Sequence, residues 1–192
     1  MEKALLIVDV QNDFCPGGAL GIKGGDKIIP AINKYIKIFV SQEFPVFASR
    51  DWHPRKTLHF KEFGGAWPVH CIKNTKGAAF HPKLRLPKEA ILLYKGMDPR
   101  KESYSAFQAQ DSRGRPLANL LKTFGIEELY IGGLATDYCV KFTVLDAMRR
   151  GFKVKILLDA IRGVNLKPND SQDAIRKMLK IGAKKITLNK LS

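Results

Sequence analysis

The chain has 192 residues, 45% hydrophobic and 27% charged, enough for one substantial core and unlike a disordered polypeptide, so a single domain over residues 1–192 is expected. No apolar run reaches the roughly 18 residues of a membrane span, and the ALLIVDV segment near the start is broken by Asp9 with no small-residue cleavage site behind it, which points to a cytoplasmic protein. The net charge of +15 is spread along the chain without the interleaved basic and aromatic residues of single-strand binders, so a solvated basic surface is expected rather than a nucleic-acid partner.

The first strand is predicted over residues 4–8. A helix follows, with Asp26 as its N-cap, Pro30 in its first turn, and a core stripe of Ile28, Ile29, Ile32, Ile36, Phe39 and Val40. Strands come next at 45–49 and 91–94. Between them, residues 50–89 are rich in Gly, Pro, Trp and His and show no long helix. A loop of that length is usually functional, and Trp52, Phe60, Phe63 and Trp67 give it apolar surface to order around. A short helix at 116–123, a strand at 128–132 and a helix at 137–150 closed by Gly151 follow. The last elements are a strand at 153–158, a helix at 170–181 closed by Gly182, and a weaker strand at 185–188. Continuous apolar runs mark strands buried on both faces, so helices must cover both sides. The fold class is therefore α/β: a three-layer α/β/α, Rossmann-like arrangement around a mostly parallel six-stranded sheet.

In such a sheet ligands bind outside the carboxyl ends of the strands. Asp9, Asp51 with His53, Lys95, and Cys139 fall at four such ends. Each has a bland explanation as a cap, a solvated strand end or core filler. Their convergence on one sheet edge favours function, because a buried carboxylate, ammonium and thiol need one another to be tolerated there. Cys139 follows the candidate caps Thr136 and Asp137, where a helix start favours a thiolate. Asp9 can accept the thiol proton and later give it to a leaving amine, while Lys95 favours negative charge in the site. The same turn offers the backbone N–H groups of Ala135 and Cys139 to a developing oxyanion, on the order of 3 kcal/mol per donor. Three of the four histidines, His53, His59 and His70, lie in the long segment beside Asp51. A metal ion there is favoured over simple Asp–His pairing, with zinc, iron and manganese all suited to mixed N and O donors. Cys15 and Cys71 carry no such company, and three cysteines without a CxxC spacing argue against a disulfide framework.

The segments LLIVDVQNDFCPGGAL, SRDWHP, FGGAWPVHC, YKGMDP and GGLATDYCV together resemble the nicotinamidase/pyrazinamidase branch of the isochorismatase-like hydrolases, over essentially the whole chain. The pairing of DWHP with WPVHC marks the metal-binding branch. The resemblance implies an isochorismatase-like fold and hydrolysis of nicotinamide to nicotinate and ammonia through a thioester on Cys139, with Asp9 as acid and base and Lys95 as third catalytic member. It implies one divalent ion on Asp51, His53 and His70, zinc before iron or manganese, anchoring the pyridine nitrogen. His59 or Glu62 stands as a further candidate ligand. Phe14 and Trp67 match substrate-packing positions, and Tyr104 and Phe107 lie in a loop able to cover the site. The Leu134–Ala135 peptide corresponds to a cis bond, and Tyr138 replaces a histidine of some members. A homo-oligomer is left open. Asp159, at the end of the fifth strand, is read as a structural hydrogen-bonding group.

Two rivals remain. A metal-independent amidohydrolase acting on N-carbamoyl or ureido substrates would keep the triad, but leaves Asp51, His53 and His70 unexplained. A catalytically idle scaffold or basic nucleic-acid binder would leave all six residues unexplained.

Overall fold

The structure, a computed structural model, describes residues 2–191. Among them six strands, β1 (Glu2–Val8), β2 (Val46–Asp51), β3 (Ile91–Lys95), β4 (Ile126–Leu134), β5 (Lys153–Arg162) and β6 (Lys184–Ile186), form one sheet in the order β3-β2-β1-β4-β5-β6. Every pairing is parallel. The four α-helices are α1 (Ile29–Ser41), α2 (Leu117–Thr123), α3 (Lys141–Arg149) and α4 (Asp170–Lys180).

The two-residue period of a strand decides which layer each side chain joins. On β1, Leu5 and Ile7 pack with Ile29, Ile32, Ile36 and Phe39 of α1. Ala4, Leu6 and Val8 point the other way, into a core shared with Leu117, Leu120 and Leu121 of α2, Val144 and Ala147 of α3, and Met178 of α4. One helix therefore covers one face and three cover the other. Each fully buried aliphatic side chain contributes about 1.5–3 kcal/mol relative to exposure. No helix among the described residues is long and apolar enough to cross a membrane.

The strand order switches between β1 and β4, with β2 and β3 added on one side and β5 and β6 on the other, which opens a crevice at their carboxyl ends. The two strands approach closely there. Gly133 has φ 125°, and a Cβ on it would lie 2.0 Å from the carbonyl oxygen of Val8, so no larger residue fits.

Local details differ from expectation where tertiary contacts outweigh local pattern. Asp26 does not cap α1: it lies in a 3-10 turn, Gly25–Ile28, and the helix begins at Ile29 with Pro30 in its first turn. Val40 is 46% exposed, because it lies about 100° around the helix from Phe39 and falls off the stripe. The segment before α3 is a π-helical turn, Thr136–Val140, capped by neither Thr136 nor Asp137. The Asp137 carboxylate instead accepts the backbone N–H groups of Val164 and Asn165 at 2.9 and 2.7 Å. Strand β6 stops at Ile186, and Leu188 opens a 3-10 turn. Asp159 lies within β5 rather than at its end, and its carboxylate accepts from Tyr35 Oη and from the N–H of Leu188.

The long segment between β2 and β3 is ordered by bridges His53–Ile72 and Phe60–Trp67 and by the buried rings of Phe60 and Trp67. The Arg50 guanidinium, 4.2, 4.6 and 5.3 Å from the ring centres of Trp52, Tyr94 and Phe80, ties its start to its neighbours.

Candidate active site

The β1/β4 crevice gathers Asp9, Lys95 and Cys139. Asp9 follows β1 with φ 50°, a left-handed conformation that aspartate tolerates, and is fully buried. Its carboxylate accepts from Ser49 Oγ at 2.8 Å and pairs with Lys95 Nζ at 2.9 Å. Lys95 ends β3 in register with Asp51 at the end of β2. Its ammonium also donates to Asp51 Oδ1, to the carbonyl of Ser103 at 3.2 Å and to Cys139 Sγ at 3.6 Å. Cys139 lies in the π-helical turn after β4, and its backbone oxygen is held at 2.6 Å by Thr143 Oγ1. Donor atoms of Asp9, Asp51 and Cys139 lie within 4.8 Å of one another. The Lys95 ammonium contacts all three, so the group's charge is offset in part from within the chain.

Charge is unequally shared. Burial would raise the Asp51 carboxyl, but Lys95, then His53 and His70, outweigh it and hold it well below the usual carboxylate range. Asp9 moves up, because burial and the charge of Asp51 outweigh the attraction of Lys95. For Lys95, burial is outweighed by Asp51, Asp9 and Cys139, which keep it an ammonium. The Cys139 thiol is pushed well above its ordinary value by burial, which together with Asp9 and Asp51 outweighs Lys95. Removal from water and the two carboxylates thus oppose the thiolate that a helix start favours.

Beside this group, ring nitrogens of buried His53, His59 and His70 lie within 4.8 Å of one another. Each ring has its Nδ1 against an acceptor: the Gly96 carbonyl at 3.0 Å for His53, the Pro68 carbonyl at 2.7 Å for His70, and Glu102 Oε2 at 2.6 Å for His59. Burial holds His70 down at about 4, and burial with neighbouring His53 holds His59 below its ordinary value. A neutral imidazole that donates through Nδ1 presents a bare Nε2. The buried His53 Nε2 has no hydrogen-bond partner, and Asp51 Oδ2 lies 3.7 Å from it and 4.0 Å from His70 Nε2. An unpaired buried nitrogen with two further imidazoles and a carboxylate beside it fits a borderline metal ion. Gly96 keeps the space: at φ 71°, a Cβ there would lie 2.4 Å from His53 Cε1.

The structure brings Asp51, His53, His59 and His70 together. Glu62 is corrected: it lies exposed on the 3-10 turn Lys61–Phe63, outside the cluster. Phe14, Trp67, Tyr104 and Tyr138 line a small cavity together with Asp51, His59, His70 and Cys139. Trp67 Nε1 donates to Tyr104 Oη at 2.9 Å across it. Ala135, after the cis Leu134–Ala135 peptide, also lines it. Phe107 does not cover the site; it is buried in the core with its ring 5.8 Å from that of Phe152. Sequence reasoning missed Gln11, whose amide brackets Asp51 by accepting its N–H and donating to its carbonyl, both at 2.8 Å. Its only signal was its place two residues after Asp9.

Residues 3–190 match the Isochorismatase domain. The chain belongs to the isochorismatase family. Within that family it is 42% identical to the nicotinamidase of Escherichia coli (strain K12), covering 97% of this chain and 95% of that protein. It is 39% identical to the nicotinamidase/pyrazinamidase of Mycobacterium tuberculosis (strain ATCC 25618 / H37Rv), covering 85% and 88%. The crystal structure of the pyrazinamidase of Pyrococcus horikoshii in complex with zinc superposes with a TM-score of 0.90 at 44% identity, covering 98% of this chain and all of that one.

Proposed function

We propose that this isochorismatase-family chain is a nicotinamidase, hydrolysing the carboxamide of nicotinamide to nicotinate and ammonia through a thioester on Cys139. The observation that carries the reading is that Cys139 lines an aromatic-walled cavity together with Asp51, His59 and His70, while behind it the Lys95 ammonium reaches its sulfur and pairs with Asp9.

Asp9 takes the thiol proton as Cys139 Sγ attacks the carboxamide carbon, so no free thiolate need exist beforehand. Lys95 stabilises the negative charge that builds on sulfur and then on the carbonyl oxygen. The N–H groups of Ala135 and Cys139 serve that oxygen as the tetrahedral intermediate forms. Collapse breaks the C–N bond, with the proton on Asp9 passing to the leaving nitrogen, and ammonia departs. Asp9 then draws a proton from water as it attacks the thioester; the C–S bond breaks, the sulfur regains its proton and nicotinate leaves. Phe14, Trp67 and Tyr104 hold the flat ring.

Asp51, His53 and His70 would hold a divalent ion, zinc foremost, with His59 as fourth donor. When bound, that ion supplies a Lewis-acid anchor for the pyridine nitrogen, an orientation effect. Misplacing the carboxamide by about 1 Å can cost 10²-fold. Chelator treatment is therefore expected to lower ammonia release from nicotinamide by at least about 10²-fold, and added zinc to restore it. Full activity after chelation would reduce the histidine cluster to a structural role, and inactivity of the zinc-loaded wild type would remove nicotinamide as the substrate.

A further inference from the structure

Of the three clustered histidines, His59 alone has a charged group at Nδ1. His53 and His70 donate through Nδ1 to backbone carbonyls, whereas His59 Nδ1 lies 2.6 Å from Glu102 Oε2. The ring is buried, while the Glu102 side chain is 46% exposed. A half-exposed carboxylate of a lysine- and arginine-rich protein has no need of an inward histidine, yet its loop is tied to aim it there. Gln108 Nε2 donates to the Glu102 carbonyl at 3.0 Å, and the next carbonyl, Ser103, accepts from Lys95 at 3.2 Å. The His53 ring stacks on His59 with ring centres 4.6 Å apart, which packs one face of the His59 ring.

We infer that Glu102 is a positioning residue for the metal site: it holds His59 in the tautomer and orientation that present Nε2 to the ion and raises the basicity of that nitrogen. The inference rests on the metal reading given above. A carboxylate acceptor polarises an imidazole more than a carbonyl does, and loss of such an outer partner typically weakens metal binding about 10- to 100-fold. Glu102 touches neither substrate nor ion and acts through His59.

The test is zinc affinity by competition with a chromophoric chelator, on wild type, Glu102→Ala, Glu102→Gln, His59→Ala and the Glu102→Ala/His59→Ala double variant. Visible spectra of the cobalt(II) forms report how many nitrogens bind. Glu102→Ala is expected to weaken zinc binding at least about tenfold and to shift the cobalt spectrum toward that of His59→Ala. Glu102→Gln, which keeps an acceptor oxygen without the charge, should fall between Glu102→Ala and wild type. In the His59→Ala background, removing Glu102 should cost nothing further. Equal affinity of Glu102→Ala and wild type would overturn the inference, as would the same loss with and without His59. A wild type that takes up no ion would overturn the metal reading and the inference with it, a result distinct from a wild type that binds zinc while Glu102→Ala binds equally well.

Discussion

Cys139→Ala is expected to lower nicotinamide hydrolysis by on the order of 10⁴-fold or more while leaving the protein folded, since removing a nucleophile forfeits the whole covalent route. The sulfur is 3.6 Å from Lys95 Nζ and within 4.8 Å of the Asp9 and Asp51 carboxylates, so no other thiol can replace it. Cys71 is buried, follows His70 and has its backbone N–H on Asp13 at 2.7 Å, and Cys15 is buried in the core on the α1 side of the sheet. The alanine variant retains the Asp9–Lys95–Asp51 ion pairs and loses one small buried atom, a change that costs about 1 kcal/mol or so. Ammonia release beside a thermal melt separates the two effects. Activity within tenfold of wild type would refute the nucleophile assignment.

Lys95→Met is expected to destabilise the fold as well as abolish activity. The methionine fills a similar volume, but Asp9 and Asp51 then share a dry site with no ammonium between them. Breaking a buried ion pair from one side costs about 3–5 kcal/mol, which for a chain of this length lowers Tm by roughly 10 °C. Asp9→Asn added to Lys95→Met removes one stranded charge, so the double variant should melt above Lys95→Met alone, by an amount that a double-mutant cycle reads directly. A Lys95→Met protein that melts with wild type would show that the ammonium does not balance the two carboxylates.

What could be read from the sequence follows burial. Strands β1, β2 and β4 are largely apolar runs buried on both faces, while β3 and β5 keep shorter apolar stretches, and that pattern is local, so their positions were legible. Their order in the sheet was not, because hydrophobic period carries no information about which strands pair. Asp9, Lys95 and Cys139 were legible as strand-end residues, since the crevice rule needs only the end of each strand. The places of His59 and Glu62 depended on how a loop with little regular structure turns, in which the packing of Phe60 and Trp67 buries His59 among the other histidines and leaves Glu62 exposed. Gln11 and Glu102 escaped notice for the same reason: each acts on a partner about forty residues away, 40 for Gln11 with Asp51 and 43 for Glu102 with His59, across contacts that no local spacing records. Nor could the helix start alone reveal the two buried carboxylates that face Cys139 and oppose its ionisation.

The central claim is an acyl group on Cys139 during nicotinamide turnover. Mass spectrometry of zinc-loaded wild type, quenched in acid while nicotinamide is being consumed and then digested, tests it most directly. The account predicts a nicotinoyl group on the peptide that contains Cys139, absent once substrate is exhausted. An acyl group on any other residue, or steady formation of nicotinate with Cys139 unmodified throughout, would contradict it.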